Sequence, residues 1–218
     1  MRKLAILLVA AALCCAAVAQ EKAAAKKPGT AQKPAAKKTG HEGHEAGGMP
    51  MPKPSPEMEK LSKMLVGTWT SSETHEPSPW MPKGGTGKGA ATFKNGPGGL
   101  SVVEDYHPSG TMGGHFYGHG VFWWDAKAGG YGGVWCDNTA PEGCGVGRNL
   151  AKWQGNDLVS SGEEEMMGQK MMMKEAYTDI TPNSFTFSMY GGPLGSEPKK
   201  MMTIKYTRAG GKTAEKKP

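Results

Sequence analysis

The stretch HFYGHGVFWWD, residues 115–125, decides how the fold of this chain is interpreted. It contains His115 and His119, which would share one face of a helix and could there hold zinc. On a strand the same four-residue spacing separates them by about 13 Å, at about 3.3 Å per residue. Since zinc–nitrogen bonds are only about 2 Å long, one ion could not bridge them. The run is bounded by glycine and turn residues, which favours the strand.

Similar short runs follow one another along most of the chain. About ten of them lie between residues 67 and 208, each bounded by Gly, Pro or Asn, and no helical pattern separates them. Alternation is clear where Phe185, Phe187 and Met189 share one face of a strand. Sequential antiparallel strands avoid exposed edges by closing on themselves. The sequence therefore predicts an all-β, up-and-down antiparallel barrel of about ten strands, and the 33 glycines suit its bent strands.

One short helix is predicted before the first strand. Ser55 can cap it, Pro56 suits its first position, and Glu57 lies in its first turn. Met58, Leu61 and Leu65 then form one apolar stripe at helical spacing.

The first 19 residues have the features of an export signal. A charged start is followed by an apolar run and by Ala17-Val18-Ala19, which fits a cleavage site. The run is short for a membrane span, which needs about 20 residues, so we predict no transmembrane segment. We expect an exported protein, periplasmic or secreted, and lipidation at Cys14 or Cys15 stays an alternative.

Residues 20–54 have the composition of an unfolded tether rich in Lys, Ala and Pro. Residues 1–40 contain eight Lys/Arg and one acid, a charge of +7, whereas the whole chain carries +6, which leaves −1 for residues 41–218. The tether could contact anionic polymers or headgroups of the cell envelope, or could be a solvated spacer. Nucleic acid is not an expected partner. The predicted barrel domain covers residues 55–209, and residues 210–218 form a second polar tail.

Two cysteines remain after the signal, Cys136 and Cys144. In an oxidising compartment such a pair predicts one disulfide. A zinc site is the alternative, although two thiols with no matching ligands nearby make a weak one.

Several segments resemble one known family. They are LVGTW (65–69), GGHFYGHGVFWWD (113–125), VWCDN (134–138) and MTIKYTR (202–208). The set resembles the exported bacterial domain-of-unknown-function family 1579 over residues 54–208, and that resemblance implies a lipocalin-like barrel. Gly67-Thr68-Trp69 is also similar to the opening strand of lipocalins and of haem-binding nitrobindin-like barrels. The family implies no reaction and no catalytic residues. Phe122 to Asp125 and the lengthened hairpin between the cysteines depart from its pattern.

The alternation of residues 115–125 leaves two candidate faces for a ligand site. His115, Tyr117, His119 and Trp123 lie in one row, and the Phe/Gly row lies on the other. The first would make a polar, aromatic pocket lining, whereas the second would pack a core or leave space. The predicted ligand contacts are Trp69, Glu104, Tyr106, His115, Tyr117, His119, Trp123 and Trp135, of which Trp69 and Trp135 could instead be core residues.

Metal and haem are the alternative ligands. A hairpin loop at residues 108–114 would place His107 opposite His115, with Asp105 nearby, although the pair could instead be two half-exposed histidines that bind no metal. In the tether, His41, His44, Met49 and Met51 are donors that suit copper. A late-strand histidine for haem is absent, since no histidine follows His119.

No catalytic signature occurs in the sequence. GGTGKGAA (84–91) lacks the residues of a phosphate-binding loop, and no G-x-S-x-G motif is present. We therefore expect an exported, non-enzymatic barrel that binds a small apolar molecule without a cofactor. The alternative is a carrier of a metal ion or haem that uses barrel histidines and the His/Met-rich tail.

Overall fold

The structure, a computed structural model, describes residues 50–78, 81–109, 115–166 and 168–210. The predicted signal peptide, nearly all of the tether, most of the C-terminal tail and the tether residues His41, His44 and Met49 lie outside these ranges. Among the described residues, no helix is both long enough and apolar enough to cross a membrane. The elements in chain order are α1 (Pro56–Leu65), β1 (Gly67–His75), β2 (Gly85–Asn95), β3 (Ser101–Ser109), β4 (Gly118–Asp125), β5 (Gly130–Asp137), β6 (Cys144–Val146), β7 (Lys152–Gln154), β8 (Asp157–Met166), β9 (Gln169–Thr178), β10 (Ser184–Pro193) and β11 (Lys199–Arg208).

The strands form one antiparallel sheet in the order β6-β5-β4-β3-β2-β1-β11-β10-β9-β8-β7. The first and last strands, β1 and β11, pair with each other. The sheet curls until Tyr131 of β5 meets Ala151, the residue before β7, through backbone N–H to O contacts of 2.8 and 2.9 Å. The predicted all-β, up-and-down antiparallel barrel is confirmed.

The predicted single strand at residues 144–155 is divided in two. β6 pairs with β5, whereas β7 pairs with β8. Between them the chain leaves one edge of the curled sheet and joins the other, and Asn149 donates to the backbone oxygen of Glu163 at 3.3 Å. This crossing explains why the described residues form eleven strands where the sequence predicts about ten.

The helix α1 packs across one end of the barrel, as its pattern predicts. Its cap is formed, since the Met58 N–H donates to Ser55 Oγ at 3.2 Å, and Met58, Leu61 and Leu65 are buried. The indole Nε1 of Trp69 donates to the Leu65 carbonyl at 2.7 Å and ties the helix to β1. We call this the closed end of the barrel.

An aromatic core fills the closed end. Trp69 is fully buried and meets Phe185 edge to face, with ring centroids 4.8 Å apart. Phe185 also stacks on Tyr206 at 4.4 Å, and Phe93 is buried beside both. Aromatic pairs in these geometries contribute about 0.5–1.5 kcal/mol each beyond their burial.

The opposite end of the barrel, which we call the far end, is less completely buried. The interior-facing residues there retain partial exposure: His75, Trp135, Glu164, Met171 and Met189. Solvent therefore reaches this end more easily than the closed end.

The predicted disulfide is present. Cys136 of β5 and Cys144 of β6 are directly opposite each other in the sheet and are bonded. The hairpin between them is held by Asp137, whose Oδ1 accepts from the backbone N–H groups of Thr139 and Ala140, each at 2.8 Å. Both thiols are used, so the alternative zinc site is not formed.

Candidate functional site

The pairing of β4 decides which row of residues 115–125 faces the interior. Gly118 lies opposite Tyr106 of β3, and Gly120 lies opposite Glu104, and both glycines are buried. The ring of Trp135 covers Gly118 so closely that a Cβ there would overlap it. The Phe/Gly row therefore faces inward, and side chains from the neighbouring strand fill the space beside its glycines.

The other row lies on the outer face. Tyr117 is 55% exposed, the His119 side chain is 48% exposed, and Trp123 packs over Gly132 from outside. His115, Tyr117, His119 and Trp123 were among the predicted ligand contacts of an interior pocket. As a correction, the structure places them outside the barrel, and we leave them out of the candidate site.

The predicted His107–His115 pairing is also wrong. A hairpin that pairs His107 with His115 would also pair Asp105 with Tyr117. The structure instead pairs Asp105 with His119, two residues further along the chain. A shift of two preserves the faces but changes every partner. The His107 ring therefore packs against Tyr117, with centroids 4.9 Å apart, and His119 Nδ1 lies 2.9 Å from Asp105 Oδ1. Across the described ranges, no group of three or more His, Cys, Asp or Glu is placed to hold a metal ion.

The most unusual feature of the interior is a buried polar cluster on β1 and β3. The Tyr106 hydroxyl donates to Glu73 Oε1 at 2.5 Å, while Glu73 Oε2 lies 3.2 Å from His75 Nε2. Ser71 Oγ is 3.4 Å from the Tyr106 hydroxyl. Glu73 is only 4% exposed and Glu104, on the same face of β3 as Tyr106, is 5% exposed. We call Ser71, Glu73, His75, Glu104 and Tyr106 the carboxylate cluster.

Alternation along β1 and the glycines of β2 explain why the cluster can form. Inward residues of β1 alternate with outward Thr and Ser, and Gly87 and Gly89 of β2 lie opposite Glu73 and Ser71. A Cβ at Gly89 would be 3.1 Å from Glu73 Oε1 and 2.7 Å from Ser71 Oγ. The missing side chains of β2 thus make room for the carboxylate.

Burial favours the protonated form of two acids of the interior, Glu104 and Glu175. Burial raises the pKa of Glu104 to about 8; a hydrogen bond from Tyr206 opposes the rise, and the charges of Asp105 and Glu175 add to it. Burial, followed by the charge of Glu164, raises the pKa of Glu175 on β9 to about 7. Burial and the hydrogen bond to Glu73 hold the pKa of Tyr106 above its usual range. At neutral pH the Glu104 carboxyl can therefore donate as well as accept a hydrogen bond.

The remaining predicted contacts all face the interior but lie at different depths of the barrel. Glu104 and Tyr106 lie in the carboxylate cluster, as a ligand role would require. Trp69 is sealed in the closed end. Trp135 faces the interior near the far end, where its Nε1 donates to Asp137 Oδ2 at 3.1 Å.

Sequence analysis missed Glu73 and His75. The available signal was the alternation of β1, which places an acid in the same row as Trp69. An acid on a strand usually faces solvent. Only the pairing of β1 with the glycines of β2 shows that Glu73 has room inside the barrel.

Two surface concavities, of about 360 and 590 Å³, lie over β1, β2 and β11. The first is lined mainly by the outward residues Thr70, Ser72, Lys88 and Lys205. The second is lined by Ser72, Glu73, Thr74, Thr86, Gly87, Lys88 and Ser109. They are not the aromatic pocket that the sequence predicts, and they contain none of its predicted contacts.

Comparison with solved structures supports the fold. Rv2717c from M. tuberculosis is similar with a TM-score of 0.50 and 13% identity, covering 72% of this chain and 99% of that chain. At this identity the likeness shows the fold alone. A redesigned β-barrel is 14% identical over 67% of this chain and 93% of that chain, with a TM-score of only 0.34.

No curated protein matches the chain. The family model described as "Protein of unknown function (DUF1579)" matches residues 53–208, nearly the whole of the predicted barrel domain. The resemblance seen in the motifs is thereby confirmed, and this chain belongs to the DUF1579 family.

Proposed function

We propose that this barrel is a non-enzymatic binding protein for a small, largely apolar molecule that carries one polar group. The observation behind the proposal is the carboxylate cluster, in which Glu73 and Glu104 are buried inside a barrel whose buried residues are mostly aromatic and aliphatic. Burying polar groups costs about 1–3 kcal/mol each when their hydrogen bonds are incomplete. A barrel selected for stability alone would hold apolar residues at these positions, so the cluster points to recognition.

The direction of entry follows from the gradient of burial. At the closed end, Trp69 and Phe185 are sealed beneath α1. At the far end, His75 and Trp135 remain partly exposed. The polar group of the ligand would enter here and reach Glu73 and Tyr106, while its apolar part would lie against the rim.

The chemistry of the cluster selects the polar group. Glu73, Glu104 and Glu175 are all acids of the interior, with Tyr106 beside them. An ammonium or hydroxyl group can donate to these oxygens, whereas a ligand carboxylate would bury a negative charge in a cluster that contains no Lys or Arg to pair with it. We therefore propose an amine or alcohol head in preference to a fatty acid.

Export of the protein is part of the proposal. It is supported by the signal-like first 19 residues and by the Cys136–Cys144 disulfide, a bond that persists mainly in oxidising compartments. In the same proposal the basic tether contacts the anionic cell envelope.

A matched head-group series tests the proposed function. The purified chain is titrated with dodecylammonium, dodecanol and dodecanoate below their micelle concentrations, and both melting temperature and tryptophan emission are followed. The amine and the alcohol are expected to raise the melting temperature, by the equivalent of about 2.7 kcal/mol at 100 times Kd. Dodecanoate should give a smaller rise.

Two variants connect this result to the site. Glu73→Gln should weaken dodecylammonium at least tenfold, because an amide oxygen accepts from an ammonium group more weakly than a carboxylate oxygen does. Glu163→Gln, on the exposed outer face of β8, should leave the affinity within twofold. Equal loss in both variants, tightest binding of dodecanoate, or no response to any of the three compounds would refute the proposal.

A further inference from the structure

A wall of methionines lines the far end of the barrel, outside the carboxylate cluster. It is formed where β9, β10 and β11 approach the rim. Its members are Met171, Met173, Met189, Met201 and Met202.

A β-bulge brings the thioethers of this wall together. Met189 pairs with Met202, but the next residue, Tyr190, pairs with Lys200, so that Met201 is the extra residue of β11. Bulges of this kind redirect a side chain. Here the Met201 sulfur rests directly on Gly191, a buried glycine of the interior face.

Two sulfurs of the wall are close to each other. Met173 Sδ lies 3.0 Å from the position that a Cβ on Gly191 would take, and Met201 Sδ lies closer to the same point. Both sulfurs are therefore within 3.0 Å of one point, so they are less than about 6 Å apart. A metal ion holding two sulfurs at about 2.3 Å each needs them at most about 4.6 Å apart, which a change of rotamer at a partly exposed methionine can supply.

A histidine of β1 lies opposite one member of the methionine wall. His75 of β1 is directly opposite Met202 of β11, and Cβ atoms of opposed residues are about 4.5–5.5 Å apart. Its Nε2 lies 3.2 Å from Glu73 Oε2, and its side chain is 13% exposed. Histidine ligands commonly donate their second N–H to a carboxylate in this way, which fixes the ring and leaves the other nitrogen for the metal.

We propose that His75 Nδ1, together with the thioethers of Met201, Met202 and Met173, binds one soft monovalent cation, Cu(I) or Ag(I). Thioether sulfur and imidazole nitrogen are donors that select such ions over Mg²⁺ or Ca²⁺, which require oxygen. Methionine needs no deprotonation to bind, and the nearby Glu73 carboxylate offsets the charge of the ion. The proposal does not depend on the small-molecule function.

Methionine also fills irregular apolar cores without binding anything. The two roles can be separated, because leucine conserves the volume of methionine and replaces it in a core at a cost usually under about 1.5 kcal/mol. Leucine cannot bind a metal ion.

The test uses the full chain, with Cu(I) presented anaerobically in competition with bathocuproine disulfonate. The double variant Met201→Leu/Met202→Leu should lower the Cu(I) affinity at least tenfold, and so should His75→Gln. The matched control is Met172→Leu, since Met172 lies between Met171 and Met173 but on the opposite face of β9. This control should stay within twofold of the parent, and melting curves confirm that each variant is folded.

A second measurement locates the ion independently of affinity. With ¹³C-methyl-labelled methionine, Ag(I) should shift the resonances of Met173, Met201 and Met202 and leave those of Met58 and Met172 unchanged. Shifts confined to Met49 and Met51 of the tether would overturn the proposal. So would unchanged Cu(I) affinity in the folded double variant, or an equal loss in Met172→Leu.

Discussion

The hydrogen bond between Tyr106 and Glu73 is the central contact of the carboxylate cluster. It is a short O–H to O contact of 2.5 Å in a buried setting, where hydrogen bonds to a charged or acidic group are stronger than in water. Removing the hydroxyl leaves a carboxylate oxygen without its donor, and water has little access to replace it. The contact should therefore be visible in the stability of the free protein.

We expect Tyr106→Phe to lower the free energy of unfolding by about 1–3 kcal/mol, because an unsatisfied buried acceptor costs that amount. Urea unfolding followed by tryptophan emission measures the change. Tyr117→Phe is the matched control, since Tyr117 is 55% exposed on the outer face, and it should change the stability by less than about 0.5 kcal/mol. Equal effects of the two substitutions would show that the hydroxyl of Tyr106 has no structural role.

At the scale of the strand, the glycines of β4 permit close packing with β5. The Trp135 ring occupies the space in which the Gly118 side chain would lie. Gly145 of β6, by contrast, has no atom within 4 Å of its Cβ position. The same substitution at these two glycines therefore probes packing alone.

Gly118→Ala should destabilise the barrel by about 1–3 kcal/mol, the usual cost of overpacking, whereas Gly145→Ala should stay within about 0.5 kcal/mol of the parent. Thermal and urea unfolding of both variants give the comparison. A neutral Gly118→Ala would mean that Trp135 moves away freely, and the inward orientation of this row would lose its main support.

The same strands show how much the sequence could predict. Alternation in residues 115–125 identifies the two rows correctly, but the inward row is decided by Trp135, which belongs to another strand. Likewise, the predicted hairpin register was two residues short at Asp105 and His119, because loop length is not encoded in the alternation. Glu73 was missed for a related reason, since Gly87 and Gly89 of β2 create its space. In each case the deciding feature is a contact between strands, and the sequence of a single strand does not contain it.

At the scale of the whole molecule, the barrel has two chemically different halves. The closed end is an aromatic core beneath α1, and short local patterns predicted both the helix and the strands that build it. The rest of the interior holds acids whose protonation depends on burial by the assembled barrel. Its properties therefore arise only on folding, and the pH dependence of folding reports them.

Glu104 and Glu175 should make the barrel less stable as pH rises. In the unfolded chain their carboxyls titrate near the ordinary value of 4.5, whereas the folded pKa values are about 8 and about 7. Between these limits the folded state holds protons that the unfolded state has lost, so the free energy of unfolding falls with increasing pH. Each group changes the free energy of unfolding by at most about 1.4 kcal/mol per pH unit within its window. Below pH 4.5 the stabilisation by both groups is fully present.

Glu104→Gln isolates this contribution, because glutamine resembles the protonated acid and does not titrate. Measured by urea unfolding at pH 5, 6.5 and 8, the variant should gain stability relative to the parent as pH rises. Glu163→Gln, on the outer face of β8, is expected to differ from the parent by the same small amount at all three values. A Glu104→Gln difference that is constant with pH, or that shrinks as pH rises, would show that the Glu104 carboxyl is already ionised in the folded barrel.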